Sequence, residues 1–222
     1  MSNQKNSKKF KIGKYESVAI TLVIVMLFMI GYNSVKINAF SGGSTDNFII
    51  PSVSASEIIP LGVPNIYGEE LEISYNDVSP SDPRLADKTI EIMSNIDRST
   101  TLEGDDLDRY IRIVTQISCE YCCGAESIIF NDGKSACGCA HSYAMRGLAK
   151  YLITEHGNEF TDDEILMELG KWKVLFFPGI HETKASVLKS KGIDTGYISL
   201  TSNQNRGIEK GQSSSSEMVG GC

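Results

Sequence analysis

The sequence has little of what several common chemistries need. Only three of its 222 residues are His, so a serine triad has no convincing base and no H-E-x-x-H zinc motif is present. No Gly-rich phosphate loop occurs. Net charge is −7 and pI about 5.1, which argues against a nucleic-acid partner, because phosphate recognition needs a basic face that displaces counterions. Six Pro and 20 Gly are too few for a collagen-like or globally disordered chain. There is no internal repeat. No Cys precedes Cys119, so no lipid-modified Cys sits near the N-terminus. Cys222 is not four residues from the end, which excludes a prenylation box.

Two concentrations stand against these absences. The first is apolar. Lys5, Lys8, Lys9, Lys11 and Lys14 occur with no acid before Tyr15, and residues 17–37 follow with Lys36 as their one charge. A helix of that length spans about 30 Å, the thickness of a bilayer core. The lysine-rich leader predicts a cytoplasmic N-terminus. The reading is therefore a cytoplasmic leader over 1–16, a single transmembrane signal anchor over 17–37, and an extracytoplasmic remainder. Two alternatives stay open: a signal peptide cleaved near Ala39, and a prepilin-type leader with Gly13 and Glu16, whose spacing is short for a pilin.

Residues 38–66 read as a linker, broken by Pro51, Pro60 and Pro64, with Ile58–Leu61 able to dock on the domain. Residues 67–200 read as a mainly α domain with one or two short strands. Leu71–Tyr75 alternates like a strand. Asp82-Pro83 signals a helix start, and Leu85, Thr89, Ile92, Met93 and Ile96 fall on one face. Residues 105–118 and 141–156 are expected to be helical. Ser127–Phe130 reads as a strand entering the Asn131-Asp132-Gly133 turn. Thr161 caps a helix whose first turn carries Asp162, Asp163 and Glu164, and Pro178-Gly179 ends it. A last helix runs from about Glu182 to Lys191, with Gly192 as its left-handed cap and Ile193 folding back on Leu188. Ile193–Leu200 is expected as a strand, and 201–222 as a flexible, Ser-rich tail.

The second concentration is sulfur. Five of the six cysteines lie between positions 119 and 139, as Cys119-x-x-Cys122-Cys123-Gly124 and Cys137-Gly-Cys139-Ala-His141. Two short ligand-bearing turns about 15 residues apart have the layout of structural zinc sites. Soft thiolates select Zn²⁺, Cu(I) or an iron–sulfur cluster over calcium and magnesium. The spacing fits no iron–sulfur signature, and no C-x-x-C-H haem motif occurs. The expected metal ligands are therefore Cys119, Cys122, Cys123, Cys137, Cys139 and His141, holding Zn²⁺ or Cu(I), with no catalytic residue assigned.

Each of these residues has a plainer reading. Met145, one turn beyond His141, packs in the core more often than it binds metal. His156 lies about 22 Å along the helix from His141 and suits the helix C-terminus. His181 reads as an exposed helix-start residue. The cysteines could instead form structural disulfides, Cys119 or Cys122 with Cys137 or Cys139, in an oxidising compartment. A redox-active pair Cys119/Cys122 would make the chain a thiol–disulfide oxidoreductase. Glu120, between them, would raise rather than lower the thiol pKa. Cys222, on its Ser-rich tether, could reach back to the cluster or engage a protein partner.

The Cys137-Gly138-Cys139 motif, with His141 and a helix after it, is similar to the core of the PCYCGC-motif family of small anchored extracytoplasmic proteins. Lys134-Ser135-Ala136 stands where that family has Pro-Cys-Tyr. The C-C-G and C-G-C-A-H knuckles with a terminal Gly-Gly-Cys also resemble archaeal membrane-anchored cysteine-rich proteins. Neither resemblance implies a reaction.

Overall fold

A computed structural model describes residues 52–212 and 218–221, together with Val23, Val25 and Met26. The chain divides into two units, Met1–Ile49 and Ile50–Cys222. In the first, Val23, Val25 and Met26 are helical and exposed. The leader, the rest of the apolar run, the linker up to Pro51 and Cys222 lie outside the described residues. Among the described residues no helix is long and apolar enough to cross a membrane.

The second unit is mainly helical. Its helices are α1 (Ala55–Ile58), α2 (Pro83–Ser99), α3 (Gly104–Val114), α4 (Ala140–His156), α5 (Asp162–Phe176), α6 (Pro178–Ser190) and α7 (Tyr197–Thr201). Local signals set their ends. Asp82 accepts from the Leu85 amide with Pro83 at the first helical position. Thr161 and Glu164 form a reciprocal capping box at α5. Gly192 adopts φ +69° and the Ile193 amide returns to the Leu188 carbonyl at 3.0 Å, the fold-back that closes α6. Pro178 opens α6 directly after Phe177, so this helix begins four residues before the expected start.

The core lies where α2, α4 and α5 meet. Ala86, Ile90 and Met93 of α2 pack with Ala144, Met145, Leu148 and Leu152 of α4, and with Ile165, Leu169, Trp172 and Phe176 of α5. Met145 is thus a core residue. α2 and α4 approach so closely that a Cβ on Gly147 would meet the Met93 carbonyl oxygen at 1.8 Å. Glycine there is a requirement of packing.

Three expectations about irregular segments change. Among the described residues there are isolated β-bridges, Ile117 with Ser202, Cys119 with Ala125 and Ile129 with Ser135, in place of strands. Leu71–Tyr75 forms a turn leading into a 3₁₀ segment at Tyr75–Asp77. Its apolar residues are spent on Ile73 and Tyr75, both buried. Ile193–Leu200 contains the start of α7, which lies against α5. The segment expected to be a tail is also held in its described parts. Asn203 donates to the Thr115 carbonyl at 2.9 Å. Val219 is buried, and its amide donates to the Phe176 carbonyl at 2.9 Å. Composition alone misses this, because one apolar residue docked in a groove made by other helices leaves no periodic pattern. In the linker, Val53 and Ile58 are buried, and Val53 donates to Ser186 Oγ of α6 at 3.0 Å.

Candidate metal centre

Two turns carry the cysteines. The chain leaves α3, pairs Ile117 with Ser202, and then closes a turn by pairing Cys119 with Ala125. The Gly124 amide donates to the Cys119 carbonyl at 3.1 Å. Gly124 has φ +71°, a conformation that favours glycine. The second turn follows a tight reversal in which Phe130 donates to the Lys134 carbonyl at 2.7 Å. Arg146 of α4 fixes it: Nη1 donates to the Cys137 carbonyl at 2.8 Å, and Nε to Asp97 of α2 at 3.0 Å. Ser135 Oγ donates to the same carbonyl at 2.9 Å. Cys139 is the N-cap of α4, its sulfur accepting from the Ser142 amide at 3.4 Å.

The result is convergence. The sulfurs of Cys119, Cys137 and Cys139 lie within 4.8 Å of one another, and those of Cys119 and Cys139 are 3.1 Å apart. Cys123 is disulfide-bonded to Cys137, with Cα atoms 6.6 Å apart. Four thiolates around zinc at bonds of about 2.3 Å would stand roughly 3.8 Å from each other, so these separations suit a soft cation after small side-chain movement. Cys122 is exposed and is not one of the three converging sulfurs.

His141 begins α4 and is fully buried between Phe176 and Phe177, at ring-centroid distances of 4.6 and 5.0 Å. Its Nε2 lies 3.0 Å from the Val219 carbonyl. That oxygen only accepts, so Nε2 carries a proton. The other nitrogen, Nδ1, is buried with no aligned hydrogen-bond partner. A lone-pair nitrogen left over in a buried site is what a metal ligand requires, and the ring is within hydrogen-bonding range of the Cys139 sulfur. The group of atoms within 4.8 Å of one another is that of Cys119, Cys137 and Cys139, so the expected ligand His141 borders the cluster and is not one of the converging atoms.

The two contacting thiols differ in character. The Cys119 S–H donated to Cys139 holds the Cys139 thiol well below its ordinary value; His141 and Ser142 help, and burial opposes them. The same hydrogen bond, and then burial, push Cys119 up. The geometry therefore describes one thiolate accepting a proton bond from its neighbour, at a helix N-terminus whose partial positive charge favours an anion.

Behind the first turn lies a group that sequence reading did not identify. Lys173 of α5 and Lys184 of α6 are fully buried, and both face Glu120 Oε1, at 3.4 and 3.1 Å. Lys184 also lies 3.9 Å from Glu209. Lys173 donates to the Thr201 carbonyl at 3.3 Å. Burial pushes Lys173 down to about 8, against the pull of Glu120. Burial acts to raise Glu120, but the two lysines outweigh it and keep its carboxyl below the usual range. Glu120 thus spends its charge on the lysines, and the expected electrostatic burden on the thiols is met by buried cations. His181, expected to be exposed, is fully buried beside Tyr121, and its Nδ1–H donates to the Phe177 carbonyl at 2.9 Å. Burial, and then Lys173, push its pKa well below the ordinary value.

One sequence signal for the lysines exists. Lys173 sits four residues after Leu169, and Lys184 four before Leu188, on buried faces of their helices. His156 takes its expected place at the end of α4, where Glu159 and Glu70 each lie 2.9 Å from a ring nitrogen. No family model, curated protein or solved structure matches the chain.

Proposed function

We propose that the chain is a membrane-tethered metal-binding protein whose extracytoplasmic domain holds Zn²⁺ or Cu(I) through cysteine thiolates. The observation that carries this is the meeting of Cys119, Cys137 and Cys139 within 4.8 Å from two separate turns of the chain. Cys123 is the fourth sulfur when reduced, and His141 Nδ1 is the nitrogen available to complete or exchange. The ion would stabilise two turns that have no regular secondary structure of their own, or would be cargo that the domain accepts and passes on. A four-thiolate zinc centre carries two net negative charges, and the buried Lys173 beside Cys119 offsets part of that charge. Tethering rests on the five leader lysines and the apolar run over 17–37. The resemblance of Cys137-Gly138-Cys139 to the PCYCGC motif belongs to the same proposal.

Anaerobic purification followed by elemental analysis and thiol counting tests it. The expected result is about one soft metal ion per chain, removed by chelators. Metal-free protein that takes up neither ion after reduction overturns it.

A second reading has one observation in its favour. Cys139 caps a helix with a lowered thiol pKa, as a nucleophilic cysteine does. A thiol–disulfide oxidoreductase would therefore work through Cys139 rather than the Cys119/Cys122 pair, since Cys119 is shifted the opposite way. Turnover of a disulfide substrate that is lost in Cys139→Ser and kept in Cys122→Ser would favour it.

A further inference from the structure

We infer that the centre is redox-gated: a disulfide between Cys123 and Cys137 closes it to metal, and a dithiol reductant opens it. The inference rests on the metal-binding reading. Its ground is that one sulfur belongs to both arrangements. Cys137 is a member of the converging group with Cys119 and Cys139, and it is also the disulfide partner of Cys123. A sulfur in a disulfide has no thiolate to give, so the two uses of Cys137 exclude each other. The oxidised form leaves the metal Cys119 and Cys139 of the converging group. The reduced form adds two thiolates at once.

Contacts other than the disulfide hold both turns, which lets the change reverse. Cys123 stays on a turn closed by the Gly124 amide on the Cys119 carbonyl and by the Cys119–Ala125 bridge. Its sulfur also lies 3.7 Å from the Cys119 carbonyl oxygen. Cys137 is held by its own carbonyl, gripped by Arg146 and Ser135. Reduction therefore changes what the sulfurs can bind while the scaffold that aims them stays in place. In the opening step the dithiol gives two electrons and two protons. Its two S–H bonds are replaced by one S–S bond, the Cys123–Cys137 bond breaks, and each cysteine sulfur takes a proton. Metal entry then releases thiol protons to solvent as the metal–sulfur bonds form.

The test uses the full chain in detergent, with cobalt(II) as probe, because its thiolate charge-transfer absorption reports sulfur coordination directly. One sample is reduced with dithiothreitol and freed of reductant anaerobically; the other is oxidised with diamide, and its disulfides are mapped by mass spectrometry. The expected result is an intense charge-transfer band in the reduced sample, at least about tenfold weaker in the oxidised one, with Cys123 joined to Cys137 and restoration of the band by dithiothreitol. A band of equal strength in both samples overturns the gate and leaves the metal site standing. Loss of the band with Cys123 and Cys137 joined to other partners overturns the gate as drawn. Absence of cobalt, zinc and copper binding in both samples overturns the metal site, and the gate with it.

Discussion

The layer formed by α2 and α4 and the cysteine-bearing stretch between α3 and α4 are stabilised by different balances of the same forces. In the helical layer, buried apolar side chains pack so tightly that a single methyl group at Gly147 has nowhere to go. In the cysteine stretch, isolated bridges, turn hydrogen bonds and the buried Ile117, Ile128 and Ile129 are joined by sulfur contacts, the Arg146 grip on the Cys137 carbonyl and the Glu120–lysine group. The first region is specified mainly by shape. The second is specified by charge and sulfur, and responds to them. A protein that must hold a responsive site on a firm base benefits from keeping the two apart.

The largest expected effect comes from the responsive region. Glu120→Ala leaves Lys173 and Lys184 buried without their shared carboxylate, and breaking such a buried pair costs about 3–5 kcal/mol. Chemical denaturation should show that loss, with Glu120→Gln intermediate because it keeps hydrogen-bond acceptance without the charge. A loss under about 1 kcal/mol would mean that the lysines find other partners, and the contrast between the two regions would fail. Gly147→Ala is next. Overpacking of this kind costs about 1–3 kcal/mol and more where backbone must move, and thermal unfolding should fall accordingly while metal stoichiometry per folded chain stays unchanged. Tolerance of Gly147→Ala would show the helical layer to be looser than the contact with Met93 implies.

The smallest effect is at His156. Burial pulls its pKa down, but hydrogen bonds to Glu159 and Glu70 outweigh this and leave it raised. The charged imidazole therefore contributes stability fully below about 6.5, the unperturbed value, and that contribution is lost as pH rises through the raised folded value. The Tm difference between wild type and His156→Gln should shrink over that rise. A difference that grows with pH would reverse the assignment. Because Glu70 tethers the segment before α2 to the end of α4, this titration tunes the firm region without reaching the sulfurs.

Much of the helical frame was legible in sequence because its determinants are local. Asp82-Pro83, the Thr161–Glu164 capping box and Gly192 each fix a helix end with residues a few positions apart. The convergence of the two cysteine turns and the position of His141 at a helix start also followed from spacing. The rest depended on distant partners. Glu120 meets lysines 53 and 64 residues away, so a pairwise reading along the chain sees only an acid between cysteines. Spacing also cannot distinguish the adjacent Cys122 and Cys123: both are exposed, and it is Cys123 that is bonded to Cys137. His181 and Val219 were misread for the same reason, since each is buried by elements that pack over it from elsewhere in the chain.

The order in which the chain is made bears on its sulfur chemistry. Both cysteine turns are complete by Cys139, yet the groups that enclose them arrive much later: Lys173, Lys184, the Thr201 carbonyl, Glu209, and finally Val219 against His141. During synthesis the thiols therefore emerge before their electrostatic and steric cover exists. The nascent protein passes through an interval in which its cysteines meet whatever oxidants, reductants or ions surround it, and the arrival of Glu209 and Val219 shuts that window.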